Sequence, residues 1–313
     1  MNIYTSIEDI PNLHHPVITT GSFDGVHLGH QQILAAMCEL AQQIHGTTVL
    51  ITFDPHPRKL LNPTEQSLFL LSSFSEKINL LEKAGIDHLV VLPFTNEIAQ
   101  MSANKYVEDF LMAVFKPHTL FAGYDHRFGK NRTGDIQLLK NYAEAGHFKV
   151  IDISKQLCDN LAISSSAIRK AITLGDMEQA NSLLGYRYSI TGIVIKGDGI
   201  GHTIGFPTAN ISPLQADKHI PGDGVYAVMV YLENERPHPG VMNIGYRPTL
   251  SGSDRRLEVH LLGFDTSIYG LELTVQFHHK LRNEQTFRDL NALKTQIKLD
   301  CEKATLLLSY KNE

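Results

Sequence analysis

Two histidines three residues apart, His27 and His30, close the run Gly21-Ser22-Phe23-Asp24-Gly25-Val26-His27-Leu28-Gly29-His30. The run follows a β-prone stretch, 17–20, and precedes residues 31–37, which read as helix. A glycine-rich strand-to-helix turn aims backbone N–H groups and a helix dipole at one point, which suits phosphate. On a first helical turn the two imidazoles share a face. Gly29 between them leaves room for a ligand to approach the backbone. Gly21, Phe23 and Asp24 border the same turn. H-x-G-H by itself recurs by chance, and a tight turn with two surface histidines is the plain alternative. The strand, the glycines and the helix around it point to phosphate.

Further along, Gly197, Gly199, Gly201 and Gly205 punctuate a loop that ends in Phe206-Pro207-Thr208-Ala209-Asn210. Such a backbone is free to wrap a phosphate chain. No Gly-Lys-Ser/Thr follows, so it is not a P-loop. No helix is expected to open from it, so the dinucleotide fingerprint fails. Thr208 and Asn210 put two neutral oxygens on one face of an extended segment, and hard oxygens beside phosphates suit Mg²⁺. In Leu257-Glu258-Val259-His260-Leu261, Glu258 and His260 take the face opposite the apolar residues. A carboxylate there could take a hydroxyl proton. On spacing alone it is more often an ion-pair partner across strands. Ser164, Ser165 and Arg169 head another helix, where free N–H groups and a guanidinium could meet phosphate or simply form a capped helix.

The elements that must position these groups fall into two patterns. Through about residue 153, short apolar strands alternate with helices: strands at 17–20, 47–53, 88–94, 119–123 and 149–153, helices to about 45, then at 74–84, 104–115 and 135–145. This predicts a parallel sheet with helices on both faces. Ligands bind beyond the carboxyl ends of such strands, where the turns holding His27, His56 and Asp125 would lie. A helix from the serine run is expected to continue to Gly185. After it, strands at 188–195, 225–232, 240–244, 257–264 and 271–277 follow one another without helices, as in a small antiparallel barrel. A helix at about 287–308 closes the chain. The boundary is placed near 184–187, giving domains 1–185 and 186–313.

With 313 residues and a formal net charge of −5, the chain is long enough for two cores. Its charge gives no pull toward nucleic acid or an anionic membrane. Cys38, Cys158 and Cys301 are far apart, which argues against a disulfide framework or a structural zinc site. No secretory leader or membrane span is visible, and a cytoplasmic setting is expected. The pairs His14-His15 and His278-His279 read as surface or strand histidines.

Together these stretches resemble the bacterial bifunctional riboflavin kinase/FMN adenylyltransferase family, often called FAD synthetases. The resemblance rests on the 21–30 run, Phe53-Asp54-Pro55-His56-Pro57, residues 123–129 and residues 163–169. In the second half it rests on Gly205 to Asn210, Gly224-Val225-Tyr226, residues 242–249, Glu258-Val259-His260 and residues 281–287. It implies that the barrel phosphorylates riboflavin to FMN with ATP. Glu258 would take the ribityl proton, Thr208 and Asn210 would hold Mg²⁺, and the 197–205 loop would cover the phosphates. Arg282, Glu284 and Phe287 would border the flavin. The first domain would transfer AMP from ATP to FMN, giving FAD. There His27 and His30 would stabilise charge on the triphosphate, with His56, Asp125, Ser164, Ser165 and Arg169 near the nucleotide. The implied partners are small molecules, with no nucleic acid and no membrane. The chain departs from the family at Ser166-Ala167, where Thr-Arg is usual, at Gly263, where Asp is common, and at His126, where Phe is usual. A kinase whose N-terminal domain only binds nucleotide is the rival reading, supported by Ala167. A flavin-binding regulator is a third.

Overall fold

The computed structural model describes residues 1–61, 69–123, 126–153, 163–197, 199–233, 235–249 and 252–309. The chain divides into two compact units, Met1–Ser164 and Ser165–Glu313.

The first unit is a six-stranded parallel sheet. Its elements are β1 (Asn2–Tyr4), β2 (Val17–Thr20), α1 (Leu28–Gln43), β3 (Thr48–Phe53), α2 (Pro57–Leu61), α3 (Phe74–Lys83), β4 (His88–Leu92), α4 (Asn96–Gln100) and α5 (Ala103–Lys105). Helix α5 runs on into a π-helical stretch, Tyr106–Phe115, followed by β5 (Thr119–Gly123), α6 (Ile136–Glu144) and β6 (Lys149–Ile153). The strand order is β1-β4-β3-β2-β5-β6. From β2 the chain winds outward on both sides, so the switch point lies between β2 and β5 and a crevice opens at their carboxyl ends.

Strand alternation sends side chains to opposite faces and builds two cores. Ile18, Val49, Ile51, Val90 and Leu120 pack against Val107, Phe110, Phe115 and Leu139. Val17, Leu50, Leu89, Val91 and Phe121 pack against Leu34, Met37, Ala41 and Leu81. Strand β4 stops at Leu92 rather than Phe94, since Pro93 has no N–H to give a ladder. Strand β1, too short to show in the sequence, adds an edge beside β4.

The second unit begins with α7 (Ser165–Leu174) and α8 (Met177–Leu184). These are two helices where one was expected. Gly175 takes φ +76°, and the Asp176 side chain caps the second helix by accepting the Gln179 N–H at 3.0 Å. Then come β7 (Ser189–Ile195), α9 (Ile200–Thr203), β8 (Ala209–Pro213), β9 (Gly224–Leu232), β10 (His238–Thr249), β11 (Gly252–Leu261), β12 (Glu272–Arg282) and α10 (Leu290–Ser309). The strands close into an antiparallel barrel, ordered β10-β11-β8-β7-β12-β9. Its interior holds Tyr226 and Phe277, ring edge to ring face at 5.6 Å. On the outside, α10 covers Val225, Ala227, Val241 and Leu281 with Ala304. The β10–β11 hairpin is longer than its alternation suggested. The glycine loop does open a short helical turn, α9, contrary to expectation.

Candidate active sites

Helix α1 starts one residue after His27, which is its N-cap. The His27 Nδ1 accepts the His30 N–H at 3.4 Å. The two rings stack with centroids 3.7 Å apart and planes 14° apart, so they share one face as expected. His27 is 6% exposed. Burial above all, then the nearby His27 and Lys77, hold His30 well below the usual histidine pKa. The buried His30 Nδ1 has no hydrogen-bond partner among the described residues. A buried ring nitrogen without a protein partner is suited to a ligand or water.

Other residues of the turn differ from expectation. A Cβ at Gly29 would lie 3.3 Å from His27 Nδ1. The space above Gly29 is therefore taken by the imidazole rather than left for a ligand. Gly21 likewise faces the Phe23 ring, which tilts on His30 at 4.6 Å. The Asp24 carboxylate is 1% exposed and accepts N–H bonds from Leu71 at 2.9 Å and Ser72 at 3.2 Å. It ties the turn to the segment before α3. His56 follows β3, as expected, and its Nδ1 accepts the Arg58 N–H at 3.2 Å at the start of α2. Asp125 lies outside the described residues. Its neighbour His126, one of the departures from the family pattern, meets Thr20 Oγ1 at 3.3 Å, bridging the ends of β5 and β2 at the switch point. Ile163 comes within 3.9 Å of a Cβ built on Gly29, so the chain leading into Ser164 passes beside the histidines. Ser165 and Arg169 belong to α7 in the second unit.

In the barrel, three side chains form one row across neighbouring strands. Asn243 of β10 pairs with Glu258 of β11, and Glu258 pairs with Asn210 of β8. All three line a cavity of about 440 Å³. Since Leu257, Val259 and Leu261 fill the interior, the row faces outward, toward the glycine loop and α10. The loop packs directly on it: a Cβ at Gly197 would sit 2.1 Å from the Asn210 amide, and one at Gly201 would sit 3.1 Å from Thr208 Oγ1. Gly199 at φ +71° and Gly205 at φ +89° give the loop its bends.

The far wall of this cavity is built on the end of β12. Arg282 Nε donates to Asp300 of α10 at 3.0 and 3.2 Å, and its terminal nitrogen lies 2.9 Å from the same carboxylate. The guanidinium also lies 5.7 Å from the Phe287 ring centre. Arg282 is thus engaged by the protein and holds the 283–287 segment against α10. Glu284 occupies the space that a Cβ on Gly245 would take. Partial burial, with Asp223 close by, pushes its carboxyl pKa up. Asn243, Asp300 and Lys77 were not singled out from the sequence. Asn243 sits between the inward-facing Met242 and Ile244, a period-two signal; Asp300 and Lys77 look like ordinary helix charges.

Among the described residues no group of three or more His, Cys, Asp or Glu could hold a metal ion. An ion beside Thr208 and Asn210 would therefore need further oxygens from bound phosphates, which is the usual habit of Mg²⁺. No helix among the described residues is long and apolar enough to cross a membrane. Cys38 and Cys301 are free thiols, and Cys158 lies outside the described residues.

The FAD synthetase family model matches residues 9–167, and the riboflavin kinase family model matches residues 184–308. A Listeria monocytogenes bifunctional riboflavin kinase/FMN adenylyltransferase is 38% identical over 92% of this chain and 94% of its own. The Escherichia coli K12 protein of that name is 38% identical over 91% of this chain and 90% of its own. A Streptococcus pneumoniae crystal structure, described as a macrolide-efflux protein, superposes with a TM-score of 0.86 at 28% identity, covering 97% of this chain and 98% of that one. With both halves matched in order and at nearly full length, the chain belongs to the family of bifunctional riboflavin kinase/FMN adenylyltransferases.

Proposed function

We propose that this chain makes FAD from riboflavin in two ATP-dependent steps, one in each half, with residues 1–185 serving adenylyl transfer and 186–313 serving the kinase. In the barrel, the Glu258 carboxylate takes the proton of the ribityl 5′-hydroxyl as that oxygen attacks the γ-phosphorus of ATP. FMN forms and ADP leaves. Asn210 and Thr208 would hold Mg²⁺ together with the phosphates, and the chemistry it would supply is neutralisation of their charge. The glycine loop covers the phosphates, and the 282–287 segment closes over the flavin.

In the first half, a phosphate oxygen of FMN attacks the α-phosphorus of a second ATP, and pyrophosphate leaves. The nucleophile is already an anion, so no protein base is needed. His27 and His30 receive the charge that builds on the departing group, and Ser164, at the end of the same unit, acts on the same phosphates. What carries the reading is that each unit holds a site of its own: stacked imidazoles at a phosphate-type turn, and a carboxylate between two amides in a cavity. The purified protein with riboflavin, ATP and Mg²⁺ should accumulate FMN and then FAD in a chromatographic time course. Formation of neither would refute the assignment. FMN without FAD would leave only the kinase.

A further inference from the structure

Lys77 belongs to no motif recognised in the sequence, yet it sits at the centre of the phosphate-type turn. The turn is a strained piece of backbone. Phe23 and Val26, neither of them glycine, take φ +45° and +34°, with Gly25 between them at +79°. Such conformations persist only where the surroundings hold them. Four hydrogen bonds do the holding. Asp24 accepts the Leu71 and Ser72 N–H groups, and Gly25 N–H donates to Ser72 Oγ at 3.1 Å. One helical turn further, Lys77 Nζ donates to the Ser22 carbonyl at 2.8 Å. The placement of Lys77 follows from local sequence. Ser73 and Glu76 form a reciprocal capping box that starts α3 next to the stitched segment, so residue 77 faces back onto the turn.

The Ser22–Phe23 peptide is trans, so its carbonyl and its N–H point in opposite directions. Drawing the Ser22 oxygen toward the ammonium turns the Phe23 N–H the other way. No acceptor among the described residues takes that N–H. Without the ammonium the same carbonyl keeps the longer bond from the Thr52 hydroxyl, at 3.5 Å, and could swing toward the opening, where its negative dipole end would repel a triphosphate.

We propose that Lys77 is a positioning residue for adenylyl transfer, locking the Ser22–Phe23 peptide so that its N–H, and not its carbonyl, is presented to the phosphates. The inference rests on the adenylyl-transfer reading of this half. The charged groups around it are consistent with a fixed cation. Burial pulls the Lys77 pKa down from its usual value, and Asp24 and Asp54, which face it, oppose that by favouring its charge. Lys77 and His27 in turn face His30 and favour its neutral form.

The test uses the full chain with Lys77→Met and Lys77→Arg, with pyrophosphate release from FMN and ATP as the assay. If the parent protein releases none, the functional reading itself fails. Given an active parent, Lys77→Met should lower kcat by about tenfold or more. Riboflavin phosphorylation should stay within twofold, and Lys77→Arg should recover much of the loss. Removing the charge should also move the acid limb of the adenylyl-transfer pH profile to higher pH, because His30 then protonates more easily. A Lys77→Met protein with kcat within twofold of the parent would overturn the proposal. So would a loss that Arg does not relieve and that scales the pH profile without shifting it, since that pattern marks a merely structural lysine.

Discussion

At the scale of single residues, the two sites use different physics. In the proposed kinase step Glu258 takes a proton, which a neutral amide of the same shape cannot do. Glu258→Gln should cut riboflavin phosphorylation by about 10²- to 10⁴-fold and leave conversion of FMN to FAD intact, which separate assays with riboflavin and with FMN would read. In the proposed adenylyl transfer His30 acts by electrostatics from a buried position. His30→Ala should lower pyrophosphate release from FMN and ATP by about 10²- to 10³-fold with the kinase unchanged; an unchanged rate would remove His30 from the site. The depressed pKa of His30 also has a thermodynamic consequence. An unfolded chain binds the proton near pH 6.5 while the folded one does not, so stability rises with pH across that window and is lost as pH falls below it. His88 and His118 are shifted in the same direction, mainly by burial. Thermal unfolding of the first unit should therefore come at lower temperature as pH drops from 7.5 to 5.5, and His30→Gln should flatten that dependence.

At the scale of elements, each site depends on a turn lying closely against a neighbour. The loop between β7 and β8 needs glycine at 197 because the Asn210 amide fills the place of any side chain. Gly197 does not take a positive φ, so Gly197→Ala is a purely steric change. It should displace Asn210 and lower the kinase rate by about tenfold to 10²-fold, with adenylyl transfer as the internal control. Much of this level was readable beforehand. The period-two pattern of 257–261 put Glu258 and His260 on one face, and the helix expected at 135–145 is present as Ile136–Glu144. Other features were not readable. The expected single helix after Ser164 breaks at Gly175, where a cap from Asp176 and the close approach of Tyr226 and Lys280 outweigh a continuous apolar stripe. Nor was the tie between the Asp24 carboxylate and the backbone N–H groups of Leu71 and Ser72, far along the chain, readable.

For the whole molecule, the two helices between the halves are the most informative joint. The family models leave 168–183 uncovered, yet α7 and α8 pack with the barrel as part of the second compact unit. Asn181 is one of the pins: its amide donates to the Phe277 carbonyl at 2.9 Å and accepts the Tyr188 N–H at 2.7 Å. It is 5% exposed, so Asn181→Ala leaves two buried backbone groups unmet. That should cost about 1–3 kcal/mol of stability, seen as a lower urea midpoint for the second unit. The chain by itself determined the class of each half, because strand and helix periods and glycine-rich turns are local properties written every few residues. It also singled out His27, His30 and Glu258 as candidates for chemistry, since type, spacing and surrounding motif mark them. What only the tertiary structure decided is which of the remaining polar residues face those groups. Lys77 meets Ser22, Asn243 flanks Glu258 and Asp300 grips Arg282 through contacts between distant parts of the chain. Sheet order, barrel closure and helix docking set such contacts, and no local pattern encodes them.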